Sequence, residues 1–139
     1  MSYKIFAIMK YKIFIVFTVI ALSFSCEKDE GVGGTSEIIG RLLVRNYDSN
    51  YRNLISTYYG QDEDVFIVYG NDSIYADRFR TDENGYYRFQ YLRKGKYTLY
   101  AYSEDSLMLS PSGKKAVKVE VEITEGHQTV QAKTIVILK

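Results

Sequence analysis

From Glu37 to the C-terminus, apolar and polar residues alternate in short runs that end in turn residues. The cleanest run sets Val117, Val119, Val121 and Ile123 against Lys118, Glu120, Glu122 and Thr124. A period of two puts successive side chains on opposite faces of a pleated strand, so one set faces a core and the other faces water. A helix cannot use such a pattern, because its apolar stripe repeats every 3.6 residues. A chain written this way has to fold as sheet.

The remaining runs agree. Ile38, Gly40, Leu42 and Val44 face one way, with Arg41 and Arg45 opposite. Val65 to Tyr69 is almost continuously apolar, as in a well-buried strand, and Ile74 to Phe79 reads as its partner beyond the turn Gly70-Asn71-Asp72. Tyr87, Phe89 and Tyr91 alternate with Arg88 and Gln90, and Tyr97, Leu99 and Ala101 with Thr98, Tyr100 and Tyr102. Thr129 to Leu138 closes the chain after a turn at Glu125–Gln128. Asn46 to Asp62 reads as a polar, Tyr-rich loop, and a longer connection holds Pro111 and Gly113. With 14 Tyr, 7 Phe and one Pro, the composition favours strands. About seven strands joined by turns predict an antiparallel β-sandwich over 37–139, two sheets about 10 Å apart around one core.

Thr81-Asp82-Glu83-Asn84-Gly85-Tyr86-Tyr87-Arg88-Phe89, then Leu92, then Lys94-Gly95-Lys96-Tyr97-Thr98-Leu99, resembles the signature of the carboxypeptidase regulatory-like domains. These have a transthyretin-like (prealbumin-like) sandwich and are related to the Cna-B modules of surface adhesins. In that reading Asn84-Gly85 sets a tight hairpin, Tyr87 and Phe89 fill one face, Gly95 permits the next turn and Tyr97 plugs the sandwich. The resemblance implies a non-catalytic spacer, stalk or binding module. Cna-B modules often carry a Lys–Asn isopeptide bond. Here the first strand offers Arg41 and Arg45, and Thr129 to Leu138 contains no Asn, so no such crosslink is expected.

The first 25 residues read as a cleavable signal peptide. Lys10 and Lys12 precede an uncharged run from Ile13 to Phe24, too short to span a bilayer core, which needs about 20 apolar residues. Met9 makes a compact alternative start to Met1. Leu22-Ser23-Phe24-Ser25-Cys26 resembles a bacterial lipobox, with its Leu four rather than three residues before the Cys. That resemblance implies cleavage before Cys26, the only cysteine, and a diacylglycerol thioether on it. Glu27-Lys28-Asp29-Glu30 resembles the signal that exports lipoproteins to the outer face of the outer membrane, and also reads as a solvated charged tether. Residues 26–36 are thus expected to be an acylated, flexible export and tether segment ending in Gly31-Val32-Gly33-Gly34-Thr35-Ser36. The expected location is the outer membrane, anchored by lipid and facing the exterior.

Removing Lys4, Lys10 and Lys12 from the 18 Lys and Arg leaves 15 against 17 Asp and Glu, so no excess of positive charge points to nucleic acid. One histidine, His127, in a turn excludes a Ser-His-Asp triad with a core-positioned base and any two-His metal site. Asp62-Glu63-Asp64 and Asp82-Glu83-Asn84 offer oxygen ligands, but Gly85 stands too early after Asp82 for an EF-hand loop. No metal, cofactor or enzymatic activity is expected. The exposed tyrosines carry the most functional information. Strand alternation puts Tyr86, Tyr100 and Tyr102 opposite the core-facing set, as one aromatic platform for a protein or sugar; equally, cross-strand Tyr pairs stabilise a sheet. Tyr47, Tyr51, Tyr58 and Tyr59 fall in the long loop, and that loop could fold over Tyr100. Two functions fit: a structural or protein-interaction module on the cell surface with an envelope protein as partner, or a glycan-binding accessory lipoprotein. A flat Tyr surface favours the first. A Tyr-lined groove with convergent Asn, Asp, Arg or Gln groups favours the second.

Overall fold

The computed structural model describes residues 29–139. Cys26, Glu27 and Lys28 lie outside the described residues. The described chain is all β, a sandwich of two largely antiparallel sheets. It has nine strands: β1 (Val32–Tyr47), β2 (Leu54–Tyr59), β3 (Asp64–Tyr69), β4 (Asp77–Arg80), β5 (Tyr86–Leu92), β6 (Gly95–Glu104), β7 (Lys114–Ile123), β8 (Thr129–Gln131) and β9 (Ile135–Leu138).

Strand β1 is the spine of the first sheet. Its first half pairs antiparallel with β5 and parallel with β8. Its second half pairs antiparallel with β2 and parallel with β9. The exchange happens at Leu42, whose N–H donates to the Gly85 carbonyl at 2.9 Å and whose carbonyl accepts the Gly60 N–H at 3.1 Å. Gly85 has φ +71°, and a Cβ there would stand 2.6 Å from the Leu42 carbonyl oxygen. Only glycine fits both the backbone angle and the space. The second sheet has the order β4-β3-β6-β7, antiparallel throughout.

Burial follows the alternation. Ile38, Leu42 and Val44 from β1 meet Val65, Ile67, Tyr97 and Leu99 across the sandwich, and Ile135 and Ile137 of β9 fill the space beside them. Val121 and Ile123 are buried, whereas Val117 and Val119 are half-buried, because the core thins toward the start of β7. Tyr97 crosses to the chain entry: its hydroxyl donates to the Arg93 carbonyl at 2.7 Å and accepts the Gly31 N–H at 3.1 Å.

Five features depart from the expectations. The polar loop after Asn46 contains β2, which extends the first sheet and does not cover Tyr100. The last expected strand is two, β8 and β9, broken where the Ala132 N–H donates to the Ile39 carbonyl. The stretch read as the end of a flexible tether enters the sheet at Val32, with Gly31 and Ser36 buried. Most consequentially, Asn84-Gly85 does not make a hairpin. Strand β4 pairs with β3 and β5 pairs with β1, so this turn carries the chain from one sheet to the other, and the turn at Gly95 carries it back. Only Gly85 in the turn is left-handed; Asp82 closes it by accepting the Asn84 and Tyr86 N–H groups on Oδ1, both at 2.9 Å. Alternation also fails at Tyr91, which is left-handed and exposed, so Leu92 takes the core position after Phe89.

Tyr87 provides a test of the packing. Its hydroxyl is buried without a hydrogen-bond partner and lies against Gly40, where a Cβ would come within 2.2 Å of the oxygen. Burial alone pushes the phenol pKa far up. A buried unsatisfied hydroxyl costs roughly 1–3 kcal/mol. Tyr87→Phe is therefore expected to preserve or raise stability in chemical denaturation, while Gly40→Ala, which drives a methyl into that ring, is expected to lower it by about 1–3 kcal/mol. A Tyr87→Phe variant less stable than the parent would reveal a partner for the hydroxyl.

Candidate functional site

The outer face of the second sheet is aromatic. Alternation along β6 turns Thr98, Tyr100 and Tyr102 outward as Tyr97, Leu99 and Ala101 turn in. Register sets Tyr100 beside Phe66 of β3 and beside Lys118 of β7. Phe66 stacks on Tyr100 with ring centres 5.0 Å apart and planes 16° from parallel. Tyr102 packs in T-shaped geometry with both rings, at 5.8 Å from Phe66 and 5.6 Å from Tyr100. A fourth ring, Tyr75, comes from the 70–76 connection, 4.9 Å from Phe66. The Ala76 N–H donates to the Ile67 carbonyl at 2.8 Å, which ties the end of that connection to β3. Desolvation, then the neighbouring Tyr102 and Tyr75, raise the Tyr100 phenol pKa. It stays a neutral donor and acceptor at any ordinary pH.

Between the 70–76 connection and the β6–β7 surface lies an open groove of about 550 Å³. Tyr75, Tyr100 and Tyr102 line it on the aromatic side; Asn71, Asp72, Ser73 and Lys118 bring polar groups. A second depression of about 500 Å³ shares Gly70, Asn71 and Thr98 with the first and adds Lys96, Glu120 and Glu122. The two adjoin through those shared residues as one track along the sheet, with the rings, Asp72 and Lys118 in the first part and Lys96, Glu120 and Glu122 in the second. Glu120 and Glu122, expected on a featureless solvent face, belong to this track.

The three tyrosines expected to share a platform do not. Tyr100 and Tyr102 are on β6, whereas Tyr86 is on β5, in the other sheet. The reason is the turn geometry above: strands adjacent in sequence belong to opposite sheets. Tyr86 has its own setting. The Arg41 guanidinium is sandwiched between the Tyr59 ring at 3.8 Å and the Tyr86 ring at 4.1 Å. This clamp ties β2 and β5 across β1 just where they exchange places on it.

The other singled-out residues have structural partners. Asp29 accepts from Arg93 through its carbonyl at 3.3 Å, and the Glu30 carboxylate accepts the Lys96 N–H at 3.3 Å. Hydrogen bonds from the backbone N–H groups of Glu30 itself and of Lys96 hold that carboxyl below its usual range. Asp64 pairs with Arg78 and Arg80, and Glu63 with Lys139. Asp62 takes a left-handed turn position. His127 is exposed at a left-handed turn position, its N–H donated to Thr35 Oγ1. Among the described residues, no three His, Cys, Asp or Glu side chains gather as metal ligands would.

Sequence reasoning missed Phe66, Tyr75 and the polar residues 71–73 as site components. Phe66 and Tyr75 read as strand residues, and Asn71-Asp72-Ser73 as a plain turn. It also passed over Leu107-Met108-Leu109, three consecutive large apolar residues in the β6–β7 connection.

No protein-family model matches the chain, and no curated protein does. Among solved structures, it is similar to a "putative carbohydrate binding protein" from Pseudomonas aeruginosa, with a TM-score of 0.46 and 14% identity over 78% of this chain and 91% of that one.

A cation held between two aromatic faces contributes about 0.5–2 kcal/mol. Arg41→Ala is expected to lower unfolding stability by about 1–2 kcal/mol, measured in denaturant. A loss within error would mean that the clamp is fortuitous.

Proposed function

We propose that this chain is a non-catalytic, lipid-anchored cell-surface protein that binds glycan chains in the groove of the second sheet. One observation carries the reading: the tyrosines border a groove rather than a flat patch, and polar side chains converge on it. A sugar ring presents apolar C–H faces and a rim of hydroxyls. The exposed rings of Tyr75 and Tyr102 suit the former, with Tyr100 beside them held by its stack on Phe66. Asn71, Asp72, Ser73 and Lys118, with the tyrosine hydroxyls, supply donors and acceptors for the latter. Binding sites in general combine an aromatic floor with a few placed polar groups. The adjoining depression favours an extended chain over a single ring.

The same proposal retains the carboxypeptidase regulatory-like resemblance. What supports it is that its motif residues Tyr87, Phe89, Leu92, Tyr97 and Leu99 are all buried in the core, although its turn joins sheets rather than a hairpin. Location in the outer membrane with the domain facing the exterior rests on the sequence around Cys26.

For the groove, Tyr102→Ala and Asn71→Ala in the full chain are each expected to weaken oligosaccharide binding at least tenfold by calorimetry, about 1.4 kcal/mol. Tyr59→Ala on the opposite sheet should leave affinity unchanged. Equal loss in all three variants, or no oligosaccharide bound by the parent across a diverse glycan panel, would sink the glycan reading.

For the anchor, Cys26→Ser is expected to release the protein from the membrane fraction. Lys28→Ala with Asp29→Ala should then keep acylation but reduce protease access on whole cells. Glu30 is best varied separately, since its carboxylate also holds the chain entry to Lys96. An unacylated wild-type protein would refute the anchor, and unchanged protease access would leave Lys28 and Asp29 as tether alone.

A further inference from the structure

Leu107, Met108 and Leu109 stand together in the connection between β6 and β7, with 69%, 78% and 80% of their surfaces in solvent. The loop that carries them is tightly held. Asp105, itself buried, accepts three backbone N–H groups on its carboxylate: Leu107 at 3.2 Å, Leu109 at 2.8 Å and Ser110 at 2.8 Å. The Met108 N–H donates to the Asp105 carbonyl at 2.9 Å, and the Asp105 N–H to the Gly113 carbonyl at 2.9 Å. Met108 adopts φ +51°, a left-handed backbone that a non-glycine residue keeps only when its surroundings impose it. A loop serving merely to join β6 to β7 has no need of three apolar side chains displayed on a rigid frame. Exposed apolar patches of this kind mark contact surfaces.

Charge and position narrow the partner. Lys114 and Lys115 open β7 at the base of the loop, both exposed; Lys114 lies across from Glu104 and Lys115 acts on the buried Asp105 carboxylate from a distance, but neither forms a close ion pair among the described residues. Strand β6 runs from Gly95, beside Glu30, to Glu104, beside Lys114. Ten residues of strand span about 30 Å, so the apolar tip lies at the end of the sandwich opposite to the one where the chain enters. Whatever precedes Asp29 is therefore attached at the far end, and an anchor there holds the tip away from its own membrane.

We propose that Leu107-Met108-Leu109 is a preformed knob that inserts into an apolar socket with an acidic rim on a second protein, with Lys114 and Lys115 facing the rim. The Asp105 bonds order the loop before binding, which removes the entropic cost of ordering it in the complex. This inference is independent of the glycan reading, because the knob shares no residue with the groove.

The test places a photoreactive benzophenone side chain at Met108 of the full chain and irradiates intact cells. A discrete adduct with one other protein is expected. Its yield should fall at least tenfold on Leu107→Ser with Leu109→Ser, whose side chains are exposed so that the melting temperature should hold, and again on Lys114→Glu with Lys115→Glu. Acid-to-lysine changes in the identified partner should restore the adduct to the charge-reversed chain. The same probe at Arg88, on the other sheet, should not give it. Three results would overturn the proposal. One is an adduct of twice the chain mass, which makes the occupant a second copy. Another is Leu107- and Leu109-dependent binding of the Cys26→Ser chain to phosphatidylglycerol vesicles, which makes it a membrane. The third is a protein adduct indifferent to both pairs of substitutions, or none at all.

Discussion

The structure hangs on the hydrogen-bonded ladder of β1. A strand of sixteen residues is longer than any other element here, and no single partner matches it. Four do so in pairs, β5 with β8 and then β2 with β9, so that both edges of β1 are occupied over most of its length. Buried backbone N–H and C=O groups must be paired, and this exchange of partners satisfies them where one long strand would be left with open edges. The exchange point at Leu42 imposes its own demands: glycine at 85, where a Cβ would collide with a carbonyl, and the Arg41 guanidinium wedged between Tyr59 and Tyr86 on the outer surface.

That spine also sets the division of labour between the two sheets. The first receives the chain entry, carries the last two strands and holds Arg41 between Tyr59 and Tyr86. The second is a four-stranded antiparallel sheet on whose outer face Phe66, Tyr100 and Tyr102 meet one another and Tyr75 of the 70–76 connection. The 70–76 connection reaches back over part of it and turns a flat surface into a groove. The ends of the sandwich differ too. Glu30, Arg93 and Tyr97 bind the incoming chain at one end, and the Asp105 loop presents its apolar tip at the other. The molecule therefore has an attached end, a face and a tip, each with distinct chemistry.

Much of this was legible in the sequence, and the rest was not, for identifiable reasons. Period-two alternation reports which side of a strand faces the core, because that is a local property of the pleat. Tyr87, Phe89, Tyr97, Leu99 and Val121 are buried as the alternation requires. It also placed Tyr86, Tyr100 and Tyr102 outward. It failed at Tyr91, where a left-handed residue shifts the phase of the strand by one. It overlooked β2, whose six residues are all exposed and therefore carry no apolar alternation to read. The glycines at 31, 33 and 34 look like a flexible linker by composition, but Tyr97 and Arg93, more than sixty residues away, draw the backbone into the fold.

The sequence by itself determined that the chain is sheet, which side chains enter its core, where it turns, and that its surface is rich in tyrosine. These follow from steric and solvation preferences acting over a few residues. Only the tertiary structure decided which strands are neighbours. A turn such as Asp82–Gly85 has nearly the same local chemistry whether it folds a strand back beside its predecessor or carries it across to the facing sheet. The choice belongs to the long-range pairing of β5 with β1 and of β4 with β3. That choice sends Tyr86 to one side of the molecule and leaves Tyr100 and Tyr102 on the other, to be joined by Phe66 and Tyr75 from elements that nothing local connects to them.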